Sequence, residues 1–458
     1  MNFNSLSYLL FLPLVCLVHW RLPHRLRWLW LLGASWLFYF LWEPRAGLLL
    51  VGITIVTWLC ARGISRSERT SARRLLLALA LITALGVLGI FKYAGFFASM
   101  LGLDLSLRIL LPVGISFYTF QTLSYVLDVY RGRIEPEEHF GYYALFVTFF
   151  PQLVAGPIER PEHLLPQLRE VRTWNRQNLT DGGWLLLSGY FKKVVIADGL
   201  ASFVDRVFAA PLTAAGSEVI LGTILFGLQI YCDFSGYTDI ARGSAQLLGI
   251  DLMENFKHPY RAESIRAFWR RWHISLTGWF TDYVYIPLGG SRKGIVRQLV
   301  NVIIVFLLSG LWHGAGWTFV AWGCIHGLYM ASGTLLARRE KAVKRHRRCM
   351  IILRKVRTFS LVSFAWLFFR AETLRDAAVL LSRLTRGWNM LPVSLSEALR
   401  MGLLILCLYL LEYLPEGRKK LPRAALPMPA FYLILTIAAG WLCLLAAGGQ
   451  NAFIYFQF

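Results

Sequence analysis

Apolar runs long enough to cross a bilayer recur from one end of this 458-residue chain to the other. No other feature limits its fold so strongly. A hydrocarbon layer of ~30 Å takes about 20 apolar residues in helical form. Lipid gives open backbone groups no hydrogen bonds, so such runs are helices unless they alternate as barrel strands do, and none of these alternates. The pattern predicts spans at 6–20, 28–42, 46–61, 75–97, 108–130, 140–156, 183–197, 218–232, 299–312, 315–337, 351–369, 401–414 and 428–447. Several are shorter than a full crossing and are expected to tilt, re-enter or pack inside the bundle. Composition agrees: with 56% hydrophobic and 15% aromatic residues, too little polar surface remains to cover a soluble core of this size. The expected class is an all-α polytopic membrane protein.

Charge sets the expected topology. The net charge of +22 comes from 48 Lys and Arg against 26 Asp and Glu. In a soluble chain that excess would suggest nucleic acid. Here it gathers in short breaks between spans, at 21–27, 62–74, 131–133, 338–348 and 418–423. The positive-inside rule places such breaks on the cytoplasmic side, where they also meet anionic lipid headgroups. Residues 6–20 lack a basic leader and are followed by Arg21, Arg25 and Arg27, the reverse of a cleaved signal. They read as a retained first span, with the N-terminus outside and residues 451–458 outside as well. The seven cysteines form no CxxC pair, so neither a metal site nor a disulfide framework follows. They read as small buried hydrophobes.

The chain divides by pattern into N-terminal spans (1–130), an interrupted core (131–330) and C-terminal spans (331–458), all within one transmembrane domain. From about 157 to 300, prolines and polar residues break the apolar runs. Irregular backbone at membrane depth survives only where it is buried in protein or lines a cavity, so a site is expected there. Residues 150–160 (FPQLVAGPIER) read as a re-entrant corner.

No soluble-enzyme motif is present, which leaves ionisable residues in apolar company. His313 ends an apolar run beside Trp312 and is followed by Gly314 and Gly316. An ionisable group at that depth is costly and faces a bundle interior or a cavity. Imidazole suits proton abstraction near neutral pH; a histidine hydrogen-bonded across helices is the competing role. Residues 264–280 (SIRAFWRRWHISLTGWF) place Ile265, Phe268, Trp269, Trp272, Leu276 and Trp279 on one stripe of an expected amphipathic helix. Arg266 and Arg270 lie opposite, and His273 sits at the stripe's edge. An interfacial anchor explains such a helix, but explains His273 less well. Asp233 and Asp239, among apolar neighbours, are expected to pair with Arg270 or Arg271 or to orient a histidine. His326, thirteen residues after His313, would point away from it on a continuous helix. His19, His24 and His346 are expected in solvent, while His139, His163 and His258 suggest no role.

Taken in order, residues 111–125, 150–160, 231–239, 253–260, 268–280 and 309–323 resemble the membrane-bound O-acyltransferase family. The likeness is strongest to its bacterial branch for alginate O-acetylation, with the D-alanyl transfer proteins of teichoic acids more distant. The resemblance implies a ring of about 11–13 transmembrane or re-entrant helices around a central funnel or tunnel. It implies His313 as the family's essential histidine and His273 as the branch's second. His258 stands where the branch commonly has Gln. An acyltransferase of this kind passes an acetyl group from a cytoplasmic thioester, acetyl-CoA, across the inner membrane. A separate SGNH-like periplasmic acetyltransferase then modifies a polymer such as alginate, cellulose or peptidoglycan. No extracytoplasmic domain is expected after Phe458, which makes that partner necessary. No permanently bound cofactor or metal is expected. Arg266, Arg270 and Arg271 would hold the donor's phosphates, with Trp272, Trp312 and Asp233 also touching substrate. Competing readings are a flippase for an acyl-bearing molecule and an acyltransferase acting on a lipid or small hydroxylated acceptor.

Overall fold

The computed structural model describes residues 3, 5–103, 111–154, 156–339, 348–388 and 393–418. Among these every regular element is helical. Five helices are long and apolar enough to cross a membrane: Pro44–Arg66, Thr70–Met100, Gly216–Leu247, Gly294–His313 and Trp317–Ala337. This is a multi-pass membrane protein. Its described residues group into two compact units, Met1–Leu186 with Tyr237–Glu254, and Leu187–Gly236 with Asn255–Phe458.

In the first unit, the helices Leu6–Arg21, His24–Phe40, Pro44–Arg66, Thr70–Leu88, Ile115–Tyr130 and Phe140–Thr148 bury aromatic rings and tie polar groups across helices within the unit. Tyr8 and Ser244 share a hydrogen bond at 2.7 Å, as do Thr57 and Tyr143, and the amide of Phe150 donates to Ser35 Oγ at 3.1 Å. Each pairing meets a need that lipid cannot. The span expected at 75–97 runs through a π-helical turn, Gly89–Tyr93, into Ala94–Met100. The one expected at 140–156 breaks at Phe149 before a short helix, Phe150–Leu153. Of the corner expected at 150–160, Phe150–Leu153 is helical and residues 156–160 are not. His19, expected in solvent, is instead 4% exposed. His24 is half-buried, its Nε2 lying 3.0 Å from Arg169 O.

The second unit packs around large rings, with Trp272, Trp322, Trp366, Phe226 and Phe369 all buried. Its helices include Asp198–Ala209, Gly294–His313, Trp317–Arg339, Arg348–Arg370 and Leu395–Arg418. The span expected at 218–232 is part of a 32-residue helix, Gly216–Leu247. Sequence reading ended it at the polar stretch after Cys232. The helix continues because it is buried nearly all round, so Asp233 and Ser235 find protein rather than lipid. The span expected at 428–447, Cys443 and His346 lie outside the described residues. Among the cysteines described, Cys60 and Cys232 are buried, whereas Cys349 is exposed rather than buried as expected.

Candidate active site

His313 is the last residue of Gly294–His313, and residues 314–316 reverse the chain into Trp317–Arg339. The two helices approach closely because glycines face each other. A Cβ at Gly310 would fall on the carbonyl of Phe319, and one at Gly323 on that of Phe306. Small residues at such crossings let backbones meet, the usual route to tight packing inside a membrane. His313 is 3% exposed, and its ring is edged by Trp312 and Trp322 at 5.0 Å and by Phe369 at 5.4 Å.

The amphipathic helix expected over 264–280 is two short helices, Ile265–Trp269 and Ile274–Phe280, with His273 at the break. His273 adopts φ +43°, a left-handed conformation costing roughly 1–2 kcal/mol in a residue with a Cβ. Residues 255–257 supply what holds it. The N–H of Lys257 donates to Arg271 O at 2.9 Å, and the N–H of Ile274 donates to Asn255 O at 3.0 Å. Asn255 Oδ1 also accepts from Ser275 Oγ at 2.6 Å. The break turns the imidazole off the stripe and into the core, where it is fully buried. It meets Phe234 at 4.7 Å, Trp312 at 5.8 Å and His313 at 6.4 Å. Burial pushes the imidazole of His273 well below its ordinary value, which favours the neutral ring.

The structure thus brings His313, His273 and Trp312 together. Trp272 is one layer away: it meets Trp366 at 5.1 Å, and Trp366 in turn stacks on Trp322 at 5.8 Å. Asp233 corrects expectation: its carboxylate pairs with Lys193 at 2.6 Å, not with Arg270 or Arg271, and Lys193 also holds Asp198 at 2.9 Å. Its neighbour on the helix, Phe234, is the residue that meets His273. Arg266 and Arg270 are exposed and Arg271 is half-buried; the Arg266 guanidinium donates to Thr334 Oγ1 at 2.8 Å. His326 does not point away from His313. The helix expected to separate them ends at His313, and the returning helix sets the two rings about one indole, each 5.0 Å from Trp322.

Sequence reasoning passed over Lys193, Asn255 and Glu412. Lys193 and Glu412 carried a usable signal, since each interrupts an apolar run. Asn255 carried none. No group of three or more His, Cys, Asp or Glu side chains fit for a metal occurs among the described residues. A cleft in the first unit, lined by His19, His24, Arg27 and Arg172 among others, includes none of the candidate residues.

Comparison with known proteins adds the context. The family model described as MBOAT, membrane-bound O-acyltransferase family, matches residues 137–371, a stretch that includes both histidines. The chain is similar to "Probable alginate O-acetylase AlgI" of Pseudomonas aeruginosa, 40% identical across 82% of this chain and 73% of the relative. It is 34% identical to the protein of that name from Pseudomonas putida across the whole of both. It is also 37% identical to "Peptidoglycan O-acetyltransferase" of Helicobacter pylori, across 76% of this chain and 72% of the relative.

Proposed function

The chain belongs to the membrane-bound O-acyltransferase family, and from that premise we propose that this acyltransferase moves an acetyl group through the site formed by His313 and His273. The observation that carries the reading is the pair itself: two imidazoles 6.4 Å apart inside a wall of indole and phenyl rings. An acceptor oxygen held between the two rings would be shared by both, and an apolar wall keeps water from the thioester. His313 takes the proton of the acceptor hydroxyl as its oxygen attacks the thioester carbonyl carbon. His273, as a neutral ring, donates to the oxygen on which charge builds. Collapse breaks the C–S bond, and the leaving thiolate takes the proton from His313. Acetyl-CoA on the cytoplasmic side is the donor, with Arg266, Arg270 and Arg271 available to its phosphates. Trp312 belongs to the wall and Trp272 backs it through Trp366, while Asp233, held by Lys193, is next to Phe234 on the same helix.

Relatives carry names for alginate and peptidoglycan acetylation, which supports an envelope polymer as the final acceptor. A periplasmic acetyltransferase receives the acetyl group from this inner-membrane protein, whose termini face the periplasm. Purified protein given acetyl-CoA labelled in the acetyl group, with and without periplasmic extract, tests the reading. Label leaving the thioester in wild type but not in His313→Ala is expected. Equal consumption by both would remove His313 from the chemistry, and label recovered in lipid would replace the polymer as acceptor.

A further inference from the structure

Two non-glycine residues among those described have left-handed backbone, His273 and His258, the latter at φ +48°. Both belong to one short ladder. Asn255 and Lys257 form its rungs with Ile274 and Arg271; His273 lies between the rungs on one side, and His258 follows the last rung on the other. Such a conformation persists only where its surroundings over-determine it. What holds His258 is Glu412, on the helix Leu395–Arg418. Glu412 Oε2 lies 3.1 Å from His258 Nδ1, its Oε1 accepts from the hydroxyl of Tyr231, and its backbone oxygen accepts from Arg261 at 2.7 Å. Two of these partners come from the turn that ends the ladder. The third, Tyr231, sets its ring 5.7 Å from Phe256, within the ladder, and 6.1 Å from Trp272, the residue before His273.

We infer that Glu412 is a positioning residue for His273: by fixing His258 and Tyr231 it sets the register of residues 255–257 against 271–274, and so the aim of the His273 imidazole. The inference rests on the assignment of His273 to the reaction. It gives His258 a role where sequence offered none. It also makes a helix that contributes no residue to the site necessary for the site's geometry.

A double-mutant cycle on the full-length membrane protein, read as single-turnover consumption of acetyl-CoA, tests it. Glu412→Ala is expected to slow turnover about tenfold with the donor KM unchanged, and to change the rate less than about twofold once His273 is Ala. His258→Gln, which keeps a donor for the carboxylate, should stay within about twofold of wild type. Should Glu412→Ala impair insertion, Tyr231→Phe removes one O–H from the clamp. It is expected to slow turnover two- to threefold, roughly, and again only while His273 is present. The same loss in both backgrounds, or a loss in His258→Gln as large as in Glu412→Ala, overturns the inference. A His273→Ala protein that turns over like wild type overturns the assignment of His273 itself, in a variant whose Glu412 is intact.

Discussion

The two candidate histidines reach the same small volume by opposite means. His313 rides the end of a regular 20-residue helix whose partner is brought close by glycines. His273 sits in a break between helices of five and seven residues, in a backbone conformation its own side chain disfavours. The first position is fixed by packing that lies close in sequence. The second is fixed from a distance, by Asn255 and Lys257 across the ladder. A base that must meet a proton at one point benefits from a rigid mount, whereas a group that follows charge onto an oxygen must be aimed. The contrast predicts different costs for disturbing the two residues.

The largest effect should come from the imidazoles themselves. General base catalysis contributes on the order of 10²–10⁴ in rate, so His313→Ala should lose at least that much in single-turnover assays. His273→Ala should lose less than His313→Ala, about 10² and at the lower end of what loss of one oxyanion donor costs, since the apolar wall remains. A larger loss at His273 than at His313 would exchange their roles.

Next in size is the mount. Gly310→Ala or Gly323→Ala drives a methyl onto a backbone carbonyl of the facing helix, and overpacking of this kind costs about 1–3 kcal/mol. Thermal unfolding in detergent should show both destabilised, while Gly333→Ala, where a Cβ meets nothing within 4 Å, should not. Equal behaviour of the three would mean that the hairpin is not what holds His313. The break should behave in the opposite way. His273→Gly and His273→Ala both lose the ring, but only glycine accepts φ +43° without strain. The glycine variant should therefore be the more stable of the pair by about 1 kcal/mol. An alanine variant as stable as the glycine one would show that the left-handed turn is not strained.

How much of this was legible in sequence follows the same division. The helix of His313 was readable, because an apolar run ending in Trp-His-Gly carries its own period and its own stop, and the expected span at 299–312 falls within Gly294–His313. Residues 264–280 misled because their stripe is real: Phe268, Trp269, Trp272 and Trp279 are all buried. Burial on one side fits one continuous helix as well as two short ones. Only hydrogen-bonding partners 14 and 19 residues away, Lys257 to Arg271 and Asn255 to Ile274, separate the cases, and no local pattern records them. Asp233 was misassigned for a related reason. Charge matching offered Arg270 and Arg271, but the partner is the lysine that one π-helical turn, Phe191–Ala197, brings alongside.

The smallest expected effect belongs to a third histidine and tests whether proximity alone confers a role. His326 is fully buried and shares Trp322 with His313. Its Nδ1 accepts from Trp269 Nε1 at 3.3 Å, and its ring stacks on Phe306 at 6.1 Å. Those contacts describe a filled core position with one long hydrogen bond, and an indole stands between this ring and His313. His326→Gln keeps an acceptor for the Trp269 N–H, so stability should change by less than about 1 kcal/mol. Turnover per folded molecule should stay within about twofold of wild type, because Trp322 rather than His326 forms the wall against His313. A rate loss matching that of His273→Ala, with the protein still folded, would mean that the chemistry extends through Trp322. The site would then consist of three histidines, and the contrast between a mounted base and an aimed partner would no longer describe it.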